Sequence, residues 1–357
     1  MEKNEYFGLM KETSDVADEI ILDKIKSRYV GPLYDLVSDL PSRKARSGKP
    51  KSRPAILRFS YELAGGENWI EYKNVAGAVE MLNLSTYVLN YFLDDKGGEK
   101  PIHQRKNECM ASMILRELAQ ELILDSIGNI DSRTSMEIIR RFSEINHFTS
   151  GIGQWLDATS LRLEDWPLRD EYDIQSYMAD YIERCEGLTG VFMKNVAAIG
   201  GLLAGASKSE ITKLEEFGRN YGILVQIIND LGDFIPPKIG VQGIGKVYQD
   251  QYSDLKHGCI TFPAYHVLRV GTSEQKEAII RVKGNMEAVD CFDVTEVLIE
   301  SGAVEEAKKL ASSFAKTARR ALDRFPKSLA RDFLSTSLSI SRTNKFYGAF
   351  RNIEKEM

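Results

Sequence analysis

Apolar residues recur at three- and four-residue intervals along most of this 357-residue chain, and that spacing predicts helices. One or two amphipathic helices are expected over residues 5–40, closing near Pro41, and an apolar helix opens near Ala55. The stretch from about Lys73 to Asp95 is apolar on nearly every side, which predicts a buried helix. Further helical patterns cover 105–126, 132–149, 173–186, 187–205, 208–233, 273–283, 304–323 and 327–350. No alternating run is long enough for a sheet, and there is neither a repeat of fixed period nor a low-complexity linker. The expected fold is all-α, with 1–357 forming one domain.

Within that pattern, Tyr221–Phe234 (YGILVQIINDLGDF) stands out. Ile223, Leu224, Ile227, Ile228 and Leu231 form the apolar stripe, and Pro236-Pro237 is expected to stop the helix. Gln226, Asn229, Asp230 and Asp233 lie three or four residues apart, so they share a helix face. Carboxylates at a helix C-terminus meet the negative end of the dipole, which makes solvated surface the ordinary explanation only where the surroundings are polar. Here they interrupt an apolar segment and call for a cation. Oxygen ligands alone suit a hard ion such as magnesium, which bridges to substrate phosphates.

Composition narrows the class of partner. The chain is 43% hydrophobic and 28% charged, enough for a large core, and its net charge of -5 argues against general nucleic-acid binding. Cys109, Cys185, Cys259 and Cys291 are widely spaced and form no zinc-like pattern with the four histidines, as expected for reduced thiols in a cytoplasmic protein. Val75–Leu93 and Gly187–Ala206 are the most apolar stretches, but Glu80, Asn83, Asn90, Lys194 and Asn195 punctuate them. They are expected to be buried helices, with no membrane span and no signal peptide.

Two further segments carry candidate chemistry. Pro41–Pro54 (PSRKARSGKPKSRP) gathers Arg43, Lys44, Arg46, Lys49, Lys51 and Arg53 just before an apolar helix. A solvated loop and an anion grip at a helix start both fit it. The helix ending in Asp94-Asp95 supplies a second acidic helix end.

Taken in order, these segments resemble the trans-isoprenyl diphosphate synthases, the polyprenyl synthetase family, over nearly the whole chain. The resemblance rests on Gly48-Lys49 through Arg53-Pro54, Ala78-Val79-Glu80, Gly153-Gln154-x-x-Asp157, Gln226–Asp233, Gly245-Lys246, and Asp254-Leu255-x-x-Gly258-x-x-Thr261-x-Pro263. It implies an isoprenoid-synthase-type helical bundle around a deep central pocket, with Mg2+ held by Asp94, Asp95, Asn229, Asp230 and Asp233. It implies that Lys49, Lys51, Arg53, Asn83, Gln226 and Lys246 bind substrate diphosphate, and that Asp94, Asp230 and Lys246 serve catalysis. The implied substrates are an allylic prenyl diphosphate and isopentenyl diphosphate, and the implied assembly is a homodimer or a heterodimer with a related synthase.

Departures from the family pattern fall on phosphate-handling positions. Counted from Glu80, the first Asp-rich motif falls on Asn90, Tyr91 and Asp94, so that Asp94-Asp95 is displaced by one turn of roughly 5 Å. Asn229 replaces the first acid of the second motif, Gly97 and Gly98 replace the paired arginines, Leu188 replaces a lysine and Asn83 a histidine. Three functions stay open on the sequence: a prenyl diphosphate synthase, a non-catalytic subunit that alters an active partner, and a cyclase or prenyltransferase of the same fold using another acceptor.

Overall fold

The computed structural model describes residues 1–93, 101–128, 130–166, 174–235, 252–282, 291–339 and 350. Among them there is no strand, only an isolated antiparallel bridge between Arg162 and Cys259. The chain folds into two compact units. One comprises Met1–Gly151, Val191–Arg219 and Ala318–Ser337; the other comprises Ile152–Gly190, Asn220–Thr317 and Leu338–Met357.

The first unit opens with α1 (Lys3–Arg28) and α2 (Gly31–Arg46), joined by a short turn. The expected stop at Pro41 does not occur, because α2 continues through it to Arg46. Proline lacks an N–H and costs a helix interior about 3 kcal/mol. Val37 and Pro41, one turn apart, are both buried, and Arg43, Lys44 and Arg46 favour the C-terminal end of the dipole. Burial and charge together offset the lost bond. The basic stretch is consequently part helix, and its loop shrinks to Ser47–Lys51 before α3 (Ser52–Leu63).

Next, α4 (Lys73–Leu93) carries the core: Val75, Ala76, Ala78, Val79, Met81 and Leu82 are fully buried. It packs against α1, α3 and α5 (Ile102–Ser126). Helix α6 (Ser132–His147) is started by Asp131, whose carboxylate accepts from the N–H groups of Arg133 and Thr134 at 3.1 Å each. Helix α9 (Val191–Leu203) lies against α3 and α6. A Cβ on Gly200 would meet the Leu57 carbonyl at 2.5 Å, so the α3–α9 approach requires glycine there. The stacked rings of Tyr6, Phe59 and Phe333 close this core, with centroids 4.6 and 3.7 Å apart.

In the second unit, α7 (Gly153–Thr159) and α8 (Ile174–Cys185) lead into a wide turn at Glu186–Gly190. Helix α10 (Lys208–Gly232) belongs to the first unit up to Arg219 and to the second from Asn220. After α10 come α11 (Ser253–Lys256), α12 (Phe262–Val270), α13 (Ser273–Ile280) and α14 (Cys291–Glu300), then α15 (Ala303–Leu322), which belongs to the first unit from Ala318, and α16 (Leu329–Ser339), which belongs to the first unit up to Ser337. Thr272 and Gln275 form a reciprocal capping box on α13. Most helices expected from periodicity are present to within a few residues, and α7, α11, α12 and α14 lie outside the expected stretches. Among the described residues, no helix is long and apolar enough to cross a membrane. Cys109, Cys185 and Cys259 are free thiols.

Candidate functional site

The anionic centre of the second unit is built on α8, α10 and the turn between α8 and α9. Tyr177, Tyr181, Arg184 and Cys185 share one buried side of α8, at i, i+4, i+7 and i+8. Arginine on such a stripe needs partners. In the adjoining turn, the Thr189 hydroxyl donates to the carbonyls of Cys185 (3.1 Å) and Gly222 (2.8 Å). A Cβ on Gly222 would lie 2.7 Å from Gly190 Cα, so glycine lets α10 sit directly on this turn. Gln226 and Asp230 follow one and two turns later on α10.

Asp230 is buried, and both of its oxygens are engaged. Oδ2 accepts from Tyr181 Oη (2.8 Å) and Arg184 Nη1 (3.0 Å), while Oδ1 accepts from Gln226 Nε2 (2.8 Å). Arg184, itself 5% exposed at the side chain, also binds Asp157 Oδ1 through Nε at 2.6 Å and approaches Asp254 Oδ2 at 3.9 Å. Burial opposes the charge of Arg184, but Asp157 and Asp230 outweigh it and hold its pKa well above the usual arginine range. Burial pushes the Asp230 carboxyl pKa up, against the pull of Arg184. Three donors on one carboxylate and a guanidinium that keeps its proton hold the pair ionised. Asp233 is fully buried too, and its Oδ2 accepts from the backbone N–H of Asp254 at 3.2 Å. Asn229 is half-buried on the same helix.

Gln154, on the Gly153-Gln154-x-x-Asp157 element, is 8% exposed, and its amide nitrogen has no hydrogen-bond partner. It offers a buried N–H to an incoming acceptor. Beneath the network, Tyr177 stacks on Tyr265 with centroids 3.6 Å apart, and Tyr181 leans on Phe262. This apolar floor fixes the tyrosine hydroxyls.

The first unit carries the basic set. The backbone N–H of Lys51 donates to Ser14 Oγ (2.7 Å) and its Nζ pairs with Asp18 Oδ2 (2.5 Å), tying the loop to α1. The Arg53 guanidinium lies over the Phe192 ring, 4.9 Å from its centroid. Lys49 is exposed. Glu80 is buried and accepts from Asn83 Nδ2 at 3.2 Å. Burial pushes the Glu80 carboxyl pKa up to about 7 despite the opposing charges of Arg53 and Lys51.

Of the residues singled out in the sequence, α10 therefore joins Gln226 to Asp230 and carries Asn229, while Asp233 falls in the turn just past its end at Gly232. Lys51, Arg53, Glu80 and Asn83 cluster in the other unit. Asp94, Asp95 and Lys246 lie outside the described residues. Sequence reasoning missed Arg184 and Tyr181, for which the signal was an arginine on the tyrosine-lined side of α8, and it named Asp254 only within a motif, with no site role. Among the described residues, no group of three His, Cys, Asp or Glu side chains is arranged to hold a metal ion. Carboxylates suit magnesium in kind, but Asp230 as placed does not fit as a direct ligand, because a guanidinium, a phenol and an amide already occupy its oxygens.

The described residues thus combine an all-α fold, a buried acidic end on α10 and, in the other unit, a basic stretch before α3. The polyprenyl synthetase family model matches residues 42–297, and the chain belongs to that family, the prenyltransferases that include the isoprenyl diphosphate synthases. It is 27% identical over 288 residues to a geranylgeranyl diphosphate synthase of Saccharolobus solfataricus, covering 78% of this chain and 81% of that one. It is 20% identical over 343 residues to heptaprenyl diphosphate synthase component 2 of Bacillus subtilis, covering 95% and 90% of the two chains. Its fold is similar to the crystal structure of a geranylgeranyl pyrophosphate synthetase from Pyrococcus horikoshii, with a TM-score of 0.74, 23% identity and coverage of 94% and 97%.

Proposed function

We propose that this chain ionises an allylic prenyl diphosphate and joins the resulting cation to isopentenyl diphosphate. The observation that carries this reading is the family membership, whose match over 42–297 takes in residues of both units. Burial of Asp230 and Asp233 supports it, because a developing allylic cation survives only where water is excluded. Lys49, exposed at the basic entry, is the side chain there best suited to diphosphate, since Lys51 is already paired with Asp18, and Arg53 is expected to join it. Gln226 and Gln154 offer amide groups on the acidic side, and Lys246 completes the expected diphosphate set. Mg2+, with Asp94 and Asp95 as its expected ligands, would neutralise the charge that gathers on the departing pyrophosphate when bound.

The test is a turnover assay of the purified chain with Mg2+, labelled isopentenyl diphosphate and allylic diphosphates of increasing length, following both extracted lipid and released pyrophosphate. Elongated lipid is the expected product; pyrophosphate without elongation would replace this reading with another acceptor or a cyclisation. A second reading is supported by the similarity to a component of a heptaprenyl diphosphate synthase: the chain works as one subunit beside a related synthase. Absence of both products from the chain alone, with activity appearing on addition of such a partner, would select it.

A further inference from the structure

We infer that Arg184 is a built-in counter-cation for the second acidic motif, which makes Asp230 an orienting anion within the protein instead of a ligand for a divalent ion. The inference builds on the proposed function only in expecting a divalent ion with the substrate.

Three observations carry it. First, the two oxygens of Asp230 receive donors from three side chains, Tyr181, Arg184 and Gln226, at 2.8–3.0 Å. A carboxylate offers about four lone-pair positions, so three are spent. A direct ligand to magnesium needs an oxygen free to stand about 2.1 Å from the ion. Second, the cation that balances Asp230 is covalent: Arg184 is 5% exposed, and its Nε is committed to Asp157 at 2.6 Å in the same fork that reaches Asp230. An ion brought to Asp230 would be confined to the remaining position on Oδ1, across the same carboxylate from a buried guanidinium on Oδ2, and like charges at this range repel strongly in a dry site. Third, the network is anchored from outside α10. Tyr181 and Arg184 come from the buried side of α8, Asp157 comes from α7, and Asp254 stands 3.9 Å from the remaining Arg184 nitrogen. Displacing Arg184 would take the shared counter-charge from Asp157 and Asp230 at once.

Through Arg184, the Gly153-Gln154-x-x-Asp157 element and the α10 motif become one rigid assembly. Asp230 then keeps Gln226 and Tyr181 in register, and the ion requirement falls on oxygens other than its own.

The test measures metal binding on the full chain, with Mn2+ as the ion and inorganic pyrophosphate present, by calorimetry and by counting bound Mn2+ with electron paramagnetic resonance. In Asp230→Asn, the remaining carbonyl oxygen still accepts from Tyr181 and Arg184, and the new amide donates to Gln226 once the Gln226 amide turns over. This variant is expected to bind the same number of ions within twofold of the wild-type affinity. Loss of one ion, or binding at least tenfold weaker, would overturn the inference. Arg184→Gln removes the resident charge while keeping a hydrogen-bonding side chain, and it is expected to tighten Mn2+ binding at least fivefold; unchanged affinity counts against it. Should either variant fail to fold, anomalous scattering from wild-type crystals soaked with Mn2+ and pyrophosphate decides the matter. A peak within about 2.5 Å of the Asp230 oxygens refutes the inference, and peaks elsewhere alone uphold it. Turnover by the wild-type chain is untouched by these outcomes, so failure here is separable from failure of the proposed function.

Discussion

Replacing Glu80 with glutamine should stabilise the protein increasingly as pH rises above about 4.5, with the full gain above about pH 7. Glu80 is 3% exposed on α4, and desolvation outweighs its attraction to Arg53 and Lys51, so its carboxyl pKa stands at about 7 against an ordinary 4.5. The folded state therefore holds a proton that the unfolded chain has already lost between pH 4.5 and pH 7. Stability attached to this group is complete below about pH 4.5, falls as pH rises and reaches its floor above about pH 7. A rise of about 2.5 pKa units at 1.36 kcal/mol each gives roughly 3 kcal/mol as the full cost of ionising it in place. Glutamine keeps an oxygen for Asn83 Nδ2 and carries no charge to desolvate. In urea titrations, Glu80→Gln is thus expected to gain about 3 kcal/mol over the wild type at pH 8 and less than about 0.5 kcal/mol at pH 4. A variant destabilised at pH 8 would refute the reasoning, since it would mean that Arg53 and Lys51 stabilise an ionised Glu80 by more than burial costs it.

Removing the guanidinium at the other centre should be severe: Arg184→Leu leaves the buried Asp230 and the half-buried Asp157 without a counter-charge and is expected to cost about 3–5 kcal/mol, read as a fall in the denaturation midpoint. An unchanged midpoint would show that the network contributes nothing. Gly222→Ala forces a methyl group onto the Thr189–Gly190 backbone and should cost roughly 1–3 kcal/mol, whereas Gly128→Ala, which meets nothing within 4 Å, should stay within about 0.5 kcal/mol; equal melting points for the two would contradict the packing described for α10. Thr272→Ala breaks the capping box of α13 and should speed amide exchange across Ser273–Ile280, with a local loss of about 1 kcal/mol. Exchange unaltered there would mean that packing alone starts that helix.

The sequence by itself determined the all-α class, because periodicity at 3.6 residues runs through α4, α5, α6, α10 and α15 with no competing alternation, and a helix needs only its own backbone to satisfy its hydrogen bonds. It also determined the family, through motifs whose order along the chain survives local substitution. It set Gln226, Asn229 and Asp230 together on one helix, since that grouping is a matter of spacing within α10, whereas Asp233, expected on the same helix, falls in the turn just past its end. Tertiary structure alone decided what those groups meet. Arg184 stands 46 residues from Asp230, and no local pattern pairs them until the Thr189–Gly190 turn docks against Gly222. The same holds for Lys51, a free cation in sequence that is bound to Asp18 across 33 residues. Pro41 gives the opposite lesson, for its local cost is plain in the sequence while the burial of Val37 and Pro41 that outweighs it is a property of packing. Charge in a helix end is legible from spacing, but its partner is fixed by burial, because only a desolvated carboxylate must find one.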